Sequence, residues 1–522
     1  MATSNNQFRL RLYPSTSYNF IVDWGDGTSD VFNGTTPTYQ GATGSSTTWS
    51  TQISAISASW PGITHTYSAP AKYTVKISEI IPGGFSGLQY RGVDDEGSNT
   101  WNPADEFNND AKKVTAVSQW GSINWSSSKA MANSFEGCIN LKDVVTDGGT
   151  STLSALSSFN QAWYGCTNLS SFDVIDTSNI TNFSYTWYNC ASLTAFPLID
   201  TSKGTNFNQT WLGCSNLRTF PLINTLSGND FAGAWNGCTS LTAFPLLDTS
   251  KGTTFSNTWN QCRALSSFPL INTSNVTNFY STWNSCSNLK DFPLINFSKA
   301  VAPYFTWASC TSLTSFPLID TSNCTSLGLT WNNCSSLSSF PTIDTSKVRD
   351  FDRTWGGCTS MIEFPLIDTL SATTRLYHTW EYNYKLKTFP QINTKNTPNF
   401  DSAWLDCVSL TGFPLIDTSN GTNFAGTWYN CISLSDSEFP TLNMSKMTNG
   451  TNCFAGVKLT TTSYSSLLTS LCATNFNNTV AFHGGNSTFN TPGSAAKVFL
   501  TTSIANGGRG WTINDGGYEP GT

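Results

Sequence analysis

Cysteine is the residue whose spacing most invites a chemical reading of this chain. Twelve of the 15 cysteines stand three residues after a Trp or Phe. They are Cys138, Cys166, Cys190, Cys214, Cys238, Cys262, Cys286, Cys310, Cys334, Cys358, Cys407 and Cys431, mostly 24 residues apart. Thiolates so arrayed could hold metal, form disulfides or do neither. Structural zinc needs four ligands converging on a tetrahedron, whereas a regular repeat sets its cysteines in a line, and no C-x-x-C occurs. A disulfide wants Cβ atoms about 3.8 Å apart, closer than parallel side chains on stacked turns approach. The unbroken run from Cys166 to Cys358 also has an odd number of members and cannot pair internally. The reading is therefore free, buried thiols packed as small hydrophobes, in a protein folded in a reducing compartment. Asn383 and Val457 take the Cys position in two repeats, which suits a packing role.

The second recurrent chemical group is a carboxylate or its amide. The first residue of the repeated Asp-Thr-Ser reads Asp176, Asp200, Asn224, Asp248, Asn272, Asn296, Asp320, Asp344, Asp368, Asn393, Asp417 and Asn443. Asp and Asn interchange freely, so the position needs a short side-chain oxygen and not a charge, as an Asx turn does. It is no substitute for the carboxylate pair of a glycoside hydrolase. Only three histidines occur, His65, His378 and His483, and none belongs to a nucleophile or metal motif. No enzyme, catalytic residue, metal site or cofactor is expected.

These groups are positioned by a repeat. Trp163, Trp187, Trp211, Trp235, Trp259, Trp283, Trp307, Trp331 and Trp355 are 24 apart, Trp380 follows after 25, and Trp404 and Trp428 resume the period. Phe135 and Phe454 take the Trp position at the ends, giving about 14 coils with atypical terminal turns, as a solenoid requires. The frame is F-x-x-T-W-x-x-C-x-x-L-x-x-F-P-L-I-D-T-S. Leu193–Ile199, short, apolar and flanked by turn residues, reads as a strand, so stacked coils predict one parallel β-sheet with Pro197 at a strand end or bulge. Which of Leu198 and Ile199 faces inward is left open. The Trp row is read as core.

That frame resembles the BspA-like leucine-rich repeats of bacterial and phage surface proteins, over roughly residues 114–460. The resemblance implies a leucine-rich-repeat-like solenoid with a C-terminal α/β cap at 461–522. In the cap, Tyr464, Leu467, Leu468 and Leu471 share one helical face, and a second helix is expected around 493–503. At the other end Asp23, Trp24, Gly25, Asp26, Gly27 and Thr28, with His65, Thr66, Tyr67, Tyr73 and Val75, resemble a PKD-type domain. That implies an immunoglobulin-like β-sandwich at 1–82, with His65 in a structural hydrogen bond. Residues 83–113 read as a connecting segment.

Composition narrows the function. Only 11% of residues are charged and the net charge is -7, with no basic run, so binding of nucleic acid through its phosphates is not expected. No apolar segment of 18 residues occurs, so no membrane span is expected. No export-signal pattern is seen at the N-terminus. Surface-type modules with free thiols imply a bacteriophage virion protein, made in the host cytoplasm and carried on the virion surface. It would be a tail-fibre, receptor-binding or capsid-decorating protein. Its expected partners are other virion proteins of capsid or tail and a host cell-surface glycan or protein, with homo-oligomerisation possible. The alternative is an adhesin on a bacterial cell surface.

The candidate binding residues lie where the repeat breaks. The coil around Trp380 carries the extra residue, loses its Cys and concentrates Arg375, Tyr377, His378, Glu381, Tyr382, Tyr384 and Lys385. Aromatic and charged side chains clustered on an otherwise bland surface are the composition of a contact patch.

Overall fold

A computed structural model describes residues 7–11, 18–34, 38–41, 62–69, 71–79, 111–118, 131–145, 153, 156–369, 375–435 and 439–520. The chain divides into two units, Met1–Gly252 and Thr253–Thr522.

The first unit opens with two antiparallel sheets. Strands β1 (Gln7–Arg11) and β5 (Gly62–Thr66) form one. Strands β2 (Tyr18–Asp23), β3 (Ser29–Gly34), β4 (Thr38–Gly41) and β6 (Lys76–Glu79) form the other, in the order β4-β3-β2-β6. The Asp-Gly turn between β2 and β3 organises the junction. Gly25 adopts φ +76°, and a Cβ there would lie 2.5 Å from the Thr74 carbonyl oxygen, so only glycine fits. Trp24 is buried, donates its indole N–H to Asp30 at 2.8 Å and stacks on His65 at 4.7 Å. His65 in turn bonds Asp26 at 2.8 Å, so this histidine is tied into the fold. Tyr67 closes the cluster, stacked on Tyr73 and donating to the Trp24 carbonyl. The connecting residues 83–110 and residues 119–130 lie outside the described residues.

From β7 (Ala116–Val117), through β8 (Asp143–Val144) and β9 (Ser171–Phe172), successive turns of chain pair in parallel. Beyond β9 the expected sheet is not continued by further coil strands among the described residues. Leu193–Ile199 is not a strand, and the axial pairing there shrinks to single rungs such as Ala195 with Thr219. Proline is the reason: it supplies no N–H, and the Ile199 N–H bonds back to the Pro197 carbonyl at 3.1 Å, a tight three-residue turn centred on Leu198. The same turn recurs after Pro221, Pro245, Pro269, Pro293 and Pro317. It settles the open orientation, because Ile199 is 3% exposed and Leu198 62%.

Most coil-to-coil pairing falls instead on the Trp side. The N–H groups of Phe183, Tyr185, Trp187 and Asn189 bond carbonyls of the next coil at 2.6–2.9 Å, while Thr186, Tyr188 and Cys190 bond back three residues within their own coil. Alternate amides thus point along the axis and into the turn. To do so, two residues per coil go left-handed, at the Tyr185 and Asn189 positions, with φ 57° and 56°. Each costs about 1–2 kcal/mol in a non-glycine residue, offset by the axial bonds.

The core is a column of rings in each unit. In the first, Trp163, Trp187, Trp211 and Trp235 stack at 5.2–5.8 Å. In the second, the row from Trp259 to Trp428 stacks at 5.3–6.1 Å and ends on Phe454. Each tryptophan also meets phenylalanines edge to face, as Trp283 does Phe292 at 4.8 Å and Phe268 at 5.2 Å. Such pairs add about 0.5–1.5 kcal/mol beyond burial. The Trp row is core, as read.

The second unit ends in a cap. Helix α1 (Thr461–Thr474) buries Tyr464, Leu467, Leu468 and Leu471, and its N-cap Thr460 accepts from the Ser463 N–H. Strand β10 (Ala481–His483) pairs with the last coil at Gly450 and with β12 (Thr512–Asn514). Strands β11 (Thr488–Phe489) and β13 (Gly517–Tyr518) pair in parallel, and helix α2 (Thr491–Thr501) follows β11. Asn475 donates to the carbonyls of Met444 and Met447, satisfying the final turn.

Candidate functional site

The cysteine row holds the most regularly spaced nucleophilic groups of the chain. All 15 thiols are free; all but Cys472 are buried. Thiols along the row also have a bonding role that spacing did not reveal. Cys190 Sγ donates to the Trp163 carbonyl at 3.3 Å, Cys286 to Trp259 at 3.2 Å and Cys334 to Trp307 at 3.2 Å. The thiol therefore pins one coil to the preceding one. Burial pushes Cys214 and Cys334 up to about 12, so these thiols are held protonated.

The Asx row is a turn row. Asp200 Oδ1 accepts the Ser202 N–H at 2.9 Å, and Asn224, Asp248, Asn272 and Asp344 accept equivalently. The following threonine, unremarked in the sequence reading, is buried and donates to the next coil: Thr201 to the Asn224 carbonyl at 2.6 Å, Thr273 to that of Asn296 at 2.6 Å.

The irregular coil of the second unit is the most distinctive surface feature, and the structure divides its predicted residues. Tyr377, His378 and Glu381 converge, joined by Arg353 and Asp352 of the previous coil. Arg353 reaches Glu381 at 3.4 Å and Asp352 at 3.3 Å, and lies 5.0 Å from the Tyr377 ring centroid. His378 Nδ1 bonds Glu381, and its ring meets Tyr377 edge-on at 4.0 Å. Burial raises the Asp352 carboxyl, assisted by Asp350 and Glu381 and opposed by Arg353 and His378. These contacts join the irregular coil to the coil before it. Tyr382 and Tyr384 instead stand outward, 41% and 45% exposed, with rings 6.2 Å apart. Lys385 and Arg375 are exposed, Arg375 with its backbone in the axial rungs to Asp350 and Asn399. Burial raises the Tyr382 phenol, helped by Glu381 and Asp406.

Such an arrangement offers hydrogen bonds, ring edges and exposed cations to a partner. Among the described residues no group of three His, Cys, Asp or Glu is placed to hold a metal ion, and no helix is long and apolar enough to cross a membrane. Sequence reasoning missed Arg353 and Asp352, although the signal was present. They stand 25 residues before His378 and Tyr377, in the same frame positions one coil earlier.

The pairing of successive coils defines this protein as a repeat solenoid. No family model and no curated protein matches the chain. Solved structures do match, 11 chains in all. One is the plant peptide hormone receptor RGFR1 in complex with RGF2, 12% identical, over 73% of this chain and 80% of that one, with a TM-score of 0.17. An overlay so loose carries no argument about this chain.

Proposed function

We propose that this protein is a non-enzymatic bacteriophage virion component, a tail-fibre, receptor-binding or capsid-decorating protein that mediates host attachment or particle assembly. The solenoid is of BspA-like leucine-rich-repeat type in this reading, and the N-terminal sheets are a PKD-type domain. The observation that carries it is the thiol inventory: 15 free cysteines, 14 of them buried within the fold, which suits assembly in a reducing compartment. Surface-type modules folded under reducing conditions suit a particle built in a host cytoplasm. The contact patch is the exposed part of the irregular coil, Arg375, Tyr382, Tyr384 and Lys385, braced by the cluster of Tyr377, His378 and Glu381.

The alternative, a bacterial adhesin, shares the repeat but places the chain on a cell. Immunogold labelling of purified particles and of intact cells separates the two. Label on particles supports the proposal, label on cells supports the adhesin, and label on neither overturns both. A polysaccharide-degradation assay with binding retained and no cleavage is the expected companion result.

A further inference from the structure

Tyr382 stands at a position where the neighbouring coils carry other residue types. It is one of the two left-handed positions of the coil, with φ 59°. The same row holds Ser309, Asn333, Gly357, Asp406, Asn430 and Gly456, all at positive φ. Glycine, asparagine and aspartate enter that region readily, whereas a bulky residue there is strained. Phe305 accepts the conformation at the other left-handed position, but it is half-buried against Tyr280. Tyr382 is 41% exposed. A strained, exposed ring held where a smaller residue would relax the turn points to function and not to stability.

The neighbours of Tyr382 make a composite surface. The N–H groups of Tyr382, Asp406 and Asn430 bond the Leu405, Tyr429 and Ala455 carbonyls at 2.7–2.8 Å. The three residues therefore follow one another along the axis, at about 4.8 Å per coil. Tyr384 stands beside Tyr382, and Tyr429, 39% exposed, precedes Asn430. Alongside these rings, the half-buried Asn430 donates its amide to Asp406 Oδ1 at 2.6 Å. That bond orients both groups. It leaves Asp406 Oδ2, Asn430 Oδ1 and one amide N–H without a protein partner among the described residues. Gly456 comes next in the row; a Cβ there would lie 3.2 Å from the Asn430 Cα, so glycine leaves that side of the amide uncrowded.

Phenol rings flanking a joined carboxylate and amide complement a sugar. The C–H face of a pyranose packs on a ring, while its hydroxyls, each both donor and acceptor, meet oriented acceptors and a donor. Among Tyr382, Asp406 and Asn430 the one formal charge is that of Asp406, which disfavours an anionic ligand. Lys385, exposed beside Tyr384, would favour an acidic glycan instead, and the two are separable by experiment.

We infer that Tyr382, Tyr384, Asp406, Tyr429 and Asn430 form a binding site for a neutral glycan. The inference rests on the contact-patch reading, names its ligand and adds Asp406, Tyr429 and Asn430 to it.

A microarray of neutral hexose and N-acetylhexosamine oligosaccharides, with sialylated and uronate-bearing glycans as its second arm, tests it against the full chain. Binding to neutral glycans is expected. Tyr382→Asn, a residue already present in that row, should weaken it about tenfold with Tm unchanged or raised. Asp406→Ser should weaken it about tenfold as well. Binding confined to acidic glycans, no glycan binding at all, binding indifferent to both variants, or a lower Tm in Tyr382→Asn overturns the inference. An empty array beside labelled particles or cells overturns the glycan while the attachment reading stands. Neutral-glycan binding by a chain found on neither particles nor cells supports the site and overturns that reading.

Discussion

Asn383→Cys should stabilise the protein, although it removes two hydrogen bonds. Asn383 occupies the thiol position of the irregular coil and is fully buried. Its amide nitrogen donates to the Trp355 carbonyl at 3.1 Å and the Trp380 carbonyl at 2.9 Å, but its Oδ1 is buried with no hydrogen-bond donor. Flipping the amide would point that oxygen at two carbonyls, so the orientation is fixed. A buried, unmet carbonyl costs about 1–3 kcal/mol, and each neutral hydrogen bond contributes about 1 kcal/mol net. With cysteine, the thiol takes over the Trp355 carbonyl, as Cys358 does for Trp331 at 3.3 Å. The Trp380 carbonyl keeps the Cys407 thiol at 3.2 Å. The balance is removal of the orphaned oxygen against loss of one amide bond, or a gain of about 1 kcal/mol. Guanidinium titration followed by Trp fluorescence reads it as a shifted midpoint at unchanged slope. Asn383→Ala, which leaves the Trp355 carbonyl unserved and opens a cavity, should lose about 2 kcal/mol. A destabilised Asn383→Cys would refute the thiol as a coil-to-coil donor.

Four further outcomes are expected. Thiol titration without reductant should find Cys472 the most reactive group in the native protein, being the one part-exposed cysteine, and about fifteen reactive thiols after unfolding; a native count near fifteen contradicts the packing. Hydrogen bonds from Ser202, Ser250, Ser346 and Ser419 hold the carboxyls of Asp200, Asp248, Asp344 and Asp417 below the usual aspartate value. Their contribution is therefore complete above about pH 4 and is lost as pH falls through the lower folded values. Replacing all four with Asn, which keeps the turn acceptor, should flatten the stability profile below pH 4 and leave neutral stability nearly unchanged. Tyr382→Ala/Tyr384→Ala should reduce cell or particle binding with Tm unchanged. Glu381→Ala, which strands Arg353 and His378, should instead cost about 1–3 kcal/mol of stability.

Which parts of this architecture were legible follows from what residue type encodes. The Trp, Phe and Leu rows were readable because large apolar residues at a fixed period have one economical place, the core. The Asx turn was readable because Asp and Asn share one oxygen and little else. The strand assignment failed at Leu193–Ile199 because Phe-Pro-Leu-Ile is apolar throughout, and apolarity does not separate a strand from a turn that throws one leucine outward. The left-handed positions were invisible for a different reason. Phe305, Leu329 and Arg353 occupy them at φ 57°, 58° and 48° without any propensity for that region. Axial hydrogen bonds impose the conformation, and those exist only once coils stack. At the candidate site, residues within one coil were found and those from the coil before were not. The contact between Arg353 and Glu381 runs along the axis, across which residues distant in sequence become neighbours.

The most direct test of the central claim is a cryo-electron microscopy map of phage particles from a lysate in which this chain is expressed. The account predicts outward density on capsid or tail into which the stacked-tryptophan solenoid fits. Particles whose surface density and protein content both lack this chain, with the chain recovered instead from bacterial envelopes, would contradict it.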